Sequence, residues 1–244
     1  MFQHEDIQGL DTTRAALGWK LRQERQNRDG VDYQTEWSVI TAWDETKIDG
    51  GPRYEVPSFI GTWQWLRRNV DDVYDPRKGN LIDLGLGAGL TIDKQEPFYR
   101  AGVRAQHWWT VNGDDVLTLR GELGKVWTNT DRVPPDFGYR TGGARSIRGY
   151  GYQSIGRQRG RAVIGAPALA VASIEYTHYI TSTYGITGFV DVGDAGESFG
   201  DLTPHLGYGL GAAVRTPAGP FFVSLAYGQK EKRIRLHFNL GIAF

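Results

Sequence analysis

Ile234-Arg235-Leu236-His237-Phe238-Asn239-Leu240-Gly241-Ile242-Ala243-Phe244 ends the chain. Every second residue is aliphatic or aromatic, and Arg, His, Asn, Gly and Ala take the places between. Successive side chains of a β-strand point to opposite faces, so this stretch is a strand with one greasy and one polar face. The same rhythm runs back through the sequence. In 205–215, Leu206, Tyr208, Leu210, Ala212 and Val214 alternate with Gly207, Gly209, Gly211, Ala213 and Arg215. In 81–93, Ile82, Leu84, Leu86, Ala88, Leu90 and Ile92 alternate with Asp83, three glycines, Thr91 and Asp93. In 97–109, Tyr99, Ala101, Val103, Ala105 and Trp109 oppose Arg100, Gly102, Arg104 and Gln106. In 12–24, Ala15, Leu17, Trp19 and Leu21 oppose Arg14, Lys20 and Arg22. About eleven strands of roughly ten residues or more are expected, long enough to cross a bilayer at a tilt. Their spans are 12–26, 31–45, 58–69, 80–93, 97–111, 115–129, 165–180, 184–194, 205–216, 220–229 and 233–244, with 2–9 as the stub of another. Turn residues separate them at Arg28-Asp29-Gly30, Asn112-Gly113-Asp114 and Pro217-Ala218-Gly219-Pro220.

A soluble β-sandwich or lipocalin-like barrel also alternates. Such a fold would turn its apolar row inward, whereas here the alternate row is charged or glycine, too polar to form a dry core. The fold class expected is therefore all-β, an antiparallel transmembrane β-barrel of about twelve strands. In lipid every backbone group must be paired, so the sheet has to close on itself. Trp19, Trp43, Trp65, Trp109 and Trp127 fit the aromatic girdles that mark the two interfaces.

Composition narrows the function. The 244 residues carry 28 basic and 28 acidic side chains, which argues against a general nucleic-acid binder. There is no cysteine, so disulfides and thiolate metal sites are excluded. No run of about 18 apolar residues provides a transmembrane helix. The mean hydropathy of −0.43 suits a barrel in which only alternate strand residues face lipid. The polar start, Met1-Phe2-Gln3-His4-Glu5-Asp6, is unlike a signal peptide, so a mature chain or a fragment is expected. The five histidines lack metal-ligand spacing, and no G-x-S-x-G nucleophile elbow occurs. Neither an enzyme nor a cofactor is expected. Gly85–Gly89 and Gly207–Gly211 miss the G-x-G-x-x-G spacing of a dinucleotide loop and read instead as inner wall kept smooth for close packing.

One long connection, 130–162, reads as having no strand character. It holds Gly142-Gly143-Ala144-Arg145-Ser146-Ile147-Arg148-Gly149-Tyr150, with further arginines at 140, 157, 159 and 161. It is too polar for lipid and is expected to fold into the barrel lumen. A guanidinium buried there needs a carboxylate. By parity Glu175 and Asp191 face inward on neighbouring strands, and either could meet Arg148. Parity equally allows each acid to pair with a wall residue such as Arg120 or Arg215.

Val133-Pro134-Pro135-Asp136 followed by this glycine- and arginine-rich run resembles the lumen-loop signature of the BamA/TamA outer-membrane assembly superfamily. Ser173-Ile174-Glu175-Tyr176 and Phe189-Val190-Asp191-Val192-Gly193 resemble the motifs of the next two strands. Within the superfamily the chain is most similar to the C-terminal barrel of the TamA branch, over about 130–244; before that only the strand rhythm matches. The resemblance implies a core motif of Ile147, Arg148, Gly149 and Tyr150, with Arg148 held by Glu175 and Asp191 and their neighbours Phe189 and Gly193. It implies a barrel whose first and last strands form a weak seam through which client barrel strands enter the membrane without ATP. It further implies outer-membrane location and lipids, client outer-membrane proteins such as autotransporters, POTRA domains and a TamB-like periplasmic partner. Asn239-x-Gly241-x-x-Phe244 resembles the C-terminal signal by which outer-membrane proteins are recognised for insertion. The family pattern has sixteen strands and preceding POTRA domains; only about six strands precede the loop here. Either first strands are missing, or the chain closes with about twelve. A passive pore or two-partner secretion channel, and an inactive barrel fragment of a larger factor, are the rival expectations.

Overall fold

The computed structural model describes residues 1–27, 29–130 and 133–241. Twelve strands form one antiparallel sheet in chain order, interrupted only by the long connection. Seven precede it: β1 (Phe2–Ile7), β2 (Leu10–Gln26), β3 (Asp32–Ile48), β4 (Arg53–Val70), β5 (Gly79–Thr91), β6 (Pro97–Thr110) and β7 (Val116–Thr128). Within the connection, β8 (Arg157–Arg159) and β9 (Ala162–Ile164) make a small separate hairpin. Five strands follow: β10 (Ala168–Tyr179), β11 (Tyr184–Gly196), β12 (His205–Thr216), β13 (Gly219–Gly228) and β14 (Arg233–Leu240). β7 pairs with β10 across the connection, while β1 and β14 stand at the two ends of the strand order, with no ladder between them among the described residues.

The faces follow the alternation. Leu17, Trp19, Leu86, Ile174, Ile186, Leu210, Ile234 and Phe238 are exposed on the outside of the wall. Their exposure in water is what a lipid-facing row shows when lipid is absent. Trp19, Trp43, Trp109 and Trp127 are exposed on this face as expected; Trp65 is half-buried beside Tyr33. No helix among the described residues is long and apolar enough to cross a membrane; strands would do the crossing.

Three expectations change. The segment 130–162 is not free of strand: Gly160, at φ +63°, turns the β8–β9 hairpin, whose three-residue strands are too short for an alternation to register. β4 starts at Arg53 rather than 58, because Arg53–Ser58 pair with Ala42–Lys47 of β3 as a continuous ladder. The inner wall is not uniformly charged or glycine. Val126, Leu169, Val171 and Ala195 are buried against Tyr139, Ile147, Tyr150, Ile155 and Ala166 of the connection. This part of the wall is apolar where the stem of the loop covers it, since buried apolar contact helps hold a segment in a wet lumen. β14 is described to Leu240 and Gly241; Phe244 lies outside the described residues, as does Arg28 of the first turn.

Candidate functional site

The connection leaves β7 and turns at Pro134–Pro135 into a short 3-10 turn, Pro135–Phe137. Two proline-fixed φ angles set this direction. Phe137 meets Phe98 edge to face at 4.6 Å. Tyr139 lies across β6 and β7, its hydroxyl donating to Ala101 O at 2.8 Å. Gly102 and Gly124 make room for its ring: a Cβ at Gly124 would sit 2.3 Å from it. The two arms of the connection pair through Tyr139–Ala166 and Thr141–Ile155, so the segment is a tapered hairpin reaching into the lumen.

At its tip Gly142 and Gly143 adopt φ of +101° and +106°, a region glycine enters without steric cost. The chain reverses there, with Gly143 N donating to Ile147 O, and Ile147-Arg148-Gly149-Tyr150 comes against the wall of β10 to β14. The Arg148 side chain forms a fork with Asp191: Nε donates to Oδ2 at 2.7 Å and Nη2 to Oδ1 at 2.8 Å. The Arg148 backbone N–H donates to the same carboxylate at 3.0 Å, and Ser173 Oγ donates to it at 2.6 Å. Arg148 Nη1 donates to Glu175. Below, the guanidinium stacks on Phe189 at 3.4 Å from the ring centroid. Asp191 is wholly buried and Arg148 nearly so. Burial alone would pull the Arg148 pKa down, but Asp191 and Glu175 outweigh it and hold the group above its ordinary value. A bidentate, hydrogen-bonded buried pair is one of the few geometries that repay the loss of water.

Strand register explains the meeting. Ser173 of β10 lies opposite Asp191 of β11, Asp191 opposite Gly207 of β12, and Gly207 opposite Gly228 of β13. This row of acid, hydroxyl and two glycines is a cradle for the loop backbone. A Cβ at Gly207 would lie 1.9 Å from Arg148 O, and one at Gly149 would lie 2.5 Å from Gly228 N. Gly149 also needs φ of +90°. Tyr150 closes the far side: its hydroxyl donates to Leu206 O and accepts from Lys230 N, both at 3.1 Å, and its ring meets His205 edge-on.

Of the sequence-derived residues, Ile147, Arg148, Gly149, Tyr150, Glu175, Phe189 and Asp191 come together. Gly193 does not: it faces β10, where a Cβ would be 2.5 Å from Ala170 O, and serves strand packing. Asn239 sits opposite Phe222 on β14 and lines the cavity beside the loop. Gly241 N donates to Pro220 O, and a Cβ there would strike the Phe222 ring. The alternative partners are otherwise engaged. Arg120 donates to Ser146 O at 2.7 Å, and Arg215 pairs with Asp75 at 3.0 Å.

Four further residues make contacts for which no sequence signal was strong enough. His237 Nε2 of β14 accepts the Gly149 N–H at 2.9 Å, tying the last strand to the loop. On the opposite wall Arg14 of β2 bridges the buried Asp44 of β3, at 2.7 Å, and Asp136 of the loop, and Arg100 donates to Asp136 O at 2.6 Å while lying over Tyr139. Near the edge strand, Gln8 O accepts Val163 N at 2.9 Å and Gln8 Nε2 donates to Tyr152 O at 3.2 Å. His237, Arg14 and Arg100 are each one residue in a two-residue alternation, and Gln8 one in a turn, indistinguishable from their neighbours until the loop is placed. Beside the loop a cavity of about 700 Å³ is lined from both sheet edges, by Glu5 of β1 and Phe238–Leu240 of β14. Arg140 reaches into it with one buried guanidinium nitrogen lacking a partner, and burial lowers its pKa. Among the described residues no group of three or more potential ligands gathers to hold a metal ion.

The arrangement is a mechanical one: a plug held to a wall by an ion pair, glycine contacts and a capping tyrosine. Comparison with known proteins places the fold. A family model described as the Omp85 superfamily domain matches residues 5–244. The crystal structure of BamA from Haemophilus ducreyi lacking POTRA domains 1–3 is similar, with a TM-score of 0.74 at 16% identity. The match covers 97% of this chain and 56% of that one, so the chain spans little more than half the length of the protein it resembles.

Proposed function

The chain belongs to the Omp85 superfamily, and we propose that it works as an outer-membrane assembly or translocation factor that helps other barrel proteins, autotransporters among them, into the membrane or across it. The observation that carries this is the grip of β10 and β11 on Arg148, a buried ion pair spent on holding a loop inside a lumen that a pore would keep open. Two features supply a route. β1 and β14 share no ladder among the described residues, and an unpaired edge offers backbone donors and acceptors to an incoming strand. In lipid those groups cost several kcal/mol each while unmet, so strand addition by a client is driven by the client's own pairing and burial. His237 places the loop in direct contact with β14, so displacement of that strand is felt at Gly149. Client outer-membrane proteins, POTRA domains, outer-membrane lipids and a TamB-like periplasmic protein are the partners this role entails.

Reconstitution tests it. Proteoliposomes carrying the full-length protein should accelerate insertion of an unfolded client barrel. Arg148→Glu should abolish the acceleration, and adding Asp191→Arg should partly restore it. If wild type gives no acceleration but a steady conductance in planar bilayers, the protein is a passive pore or secretion channel and the proposal fails. If Arg148→Ala folds and accelerates insertion as well as wild type, the loop has no part in the activity.

A further inference from the structure

A second set of contacts reaches across the lumen. At the end opposite the β8–β9 hairpin, residues 71–78 join β4 to β5 as a built turn rather than a slack one. The Asp72 carboxylate accepts the N–H groups of Tyr74 and Asp75 at 2.7 and 3.2 Å, and Asp71 accepts those of Arg77 and Lys78 at 3.0 Å each. This fixes the fold of the turn and sets the buried Pro76 and the half-buried Asp75 at the end of the lumen. Asp75 then meets Arg215 of β12 at 3.0 Å. Four strands separate β5 from β12 in the sheet, so this ion pair spans the lumen rather than joining neighbours. Arg77 braces it, reaching Asp75 at 3.1 Å and Asp114 of the β6–β7 turn at 2.9 Å, and Arg215 lies over Tyr179 at 3.5 Å from the ring centroid. Above this floor hang Ala144, Arg145 and Arg148. Between floor and loop remains a cavity of only about 120 Å³, walled in part by Arg120, Ser173, Glu175 and Thr177. That is space for a few waters.

We propose that the 71–78 turn is a second, ionic gate, closing the lumen to small ions at the end opposite the loop and opening when Asp75 and Arg215 separate. In this arrangement the loop stoppers one half of the lumen and the turn the other. The gate does not depend on the assembly role, since it rests on contacts at the other end of the barrel from the loop's entry. Its partners are partly exposed, Asp114 by half, so salt should weaken it. Screening lengths shrink from about 10 Å at 0.1 M to about 3 Å at 1 M.

The test is conductance of the full-length protein in planar bilayers, with folding checked by heat-modifiable gel migration. Arg148→Ala and Arg215→Gln should each leave conductance low, because one stopper remains. The double variant should conduct several-fold more than either and more than their sum. A double variant no more conductive than Arg148→Ala alone overturns the gate. A second measurement does not rely on Arg215→Gln folding. The chain has no cysteine of its own, so Asp75→Cys with Arg215→Cys in the Arg148→Ala background can be bridged by a short, reducible bis-thiosulfonate. Bridging should close the channel and reductant reopen it. Equal conductance in both states, or two cysteines in a folded barrel that cannot be bridged, refutes the proposal.

Discussion

The two walls of the lumen hold the same loop by different means. The wall of β10–β14 grips its tip with buried charge and bare backbone: Asp191 is wholly buried, and Gly207 and Gly228 admit the main chain of Arg148 and Gly149. The wall of β2–β7 touches its stem through rings and half-wet charge: Phe137 on Phe98, Tyr139 over Gly102 and Gly124, Arg14 on an Asp136 whose side chain is 58% exposed. The difference teaches where specificity lies. Apolar contact tolerates sliding, and an exposed pair is worth little. A buried fork on a backbone cradle has one geometry and a steep penalty for leaving it. The first wall is therefore the anchor and the second a guide.

That contrast can be broken in four places. The largest effect belongs to Arg148→Ala, which strands two carboxylates; barrel stability in urea should fall by about 3–5 kcal/mol. A loss below about 1 kcal/mol, the range of a surface pair, would show that the anchor wall grips no harder than the guide. Gly207→Ala comes next. Its methyl would strike the Arg148 carbonyl, and overpacking of this kind costs about 1–3 kcal/mol; the loop tip should lose protection in hydrogen exchange while β2–β7 keep theirs. Loss spread evenly over both walls would mean the cradle is not local. His237→Leu leaves the Gly149 N–H without its acceptor, for about 1–3 kcal/mol at most. Exchange at Gly149 and along β14 should rise together; Gly149 exchange unchanged would sever the last strand from the loop. Asp136→Asn should cost least, about 0–1 kcal/mol. A cost matching that of Arg148→Ala would erase the distinction between anchor and guide.

Much of this was legible because the signals were local. Alternation alone gave the outer and inner rows, and with them the inward placement of Glu175 and Asp191. The choice between Arg148 and a wall arginine was not legible. Parity makes Arg120 an equal candidate, and only the register Arg120–Ser173–Asp191 with the loop laid over it shows Arg120 turned to Ser146 O instead. Gly193 looked like part of the motif and proved to be strand packing, since a glycine carries no mark of which neighbour it yields to. His237 read as one more inward polar residue. The β8–β9 hairpin was hidden because three-residue strands are too short for a period to register. The Asp75–Arg215 contact was invisible for a different reason: Arg215 reads as a wall residue and Asp75 lies in a turn, and nothing local says that they face each other across a lumen.

What the amino-acid order determined by itself is the strand, its two faces, and the need of a buried guanidinium for an acid, because backbone pleat and desolvation act residue by residue. What only the tertiary structure decided is which acid, which glycines and which histidine meet the loop, and that a turn rises to meet β12 from below. Those contacts join positions from 27 to 140 residues apart, and their meeting depends on the stagger summed over several strands and on the path of one inserted hairpin, neither of which any single segment carries.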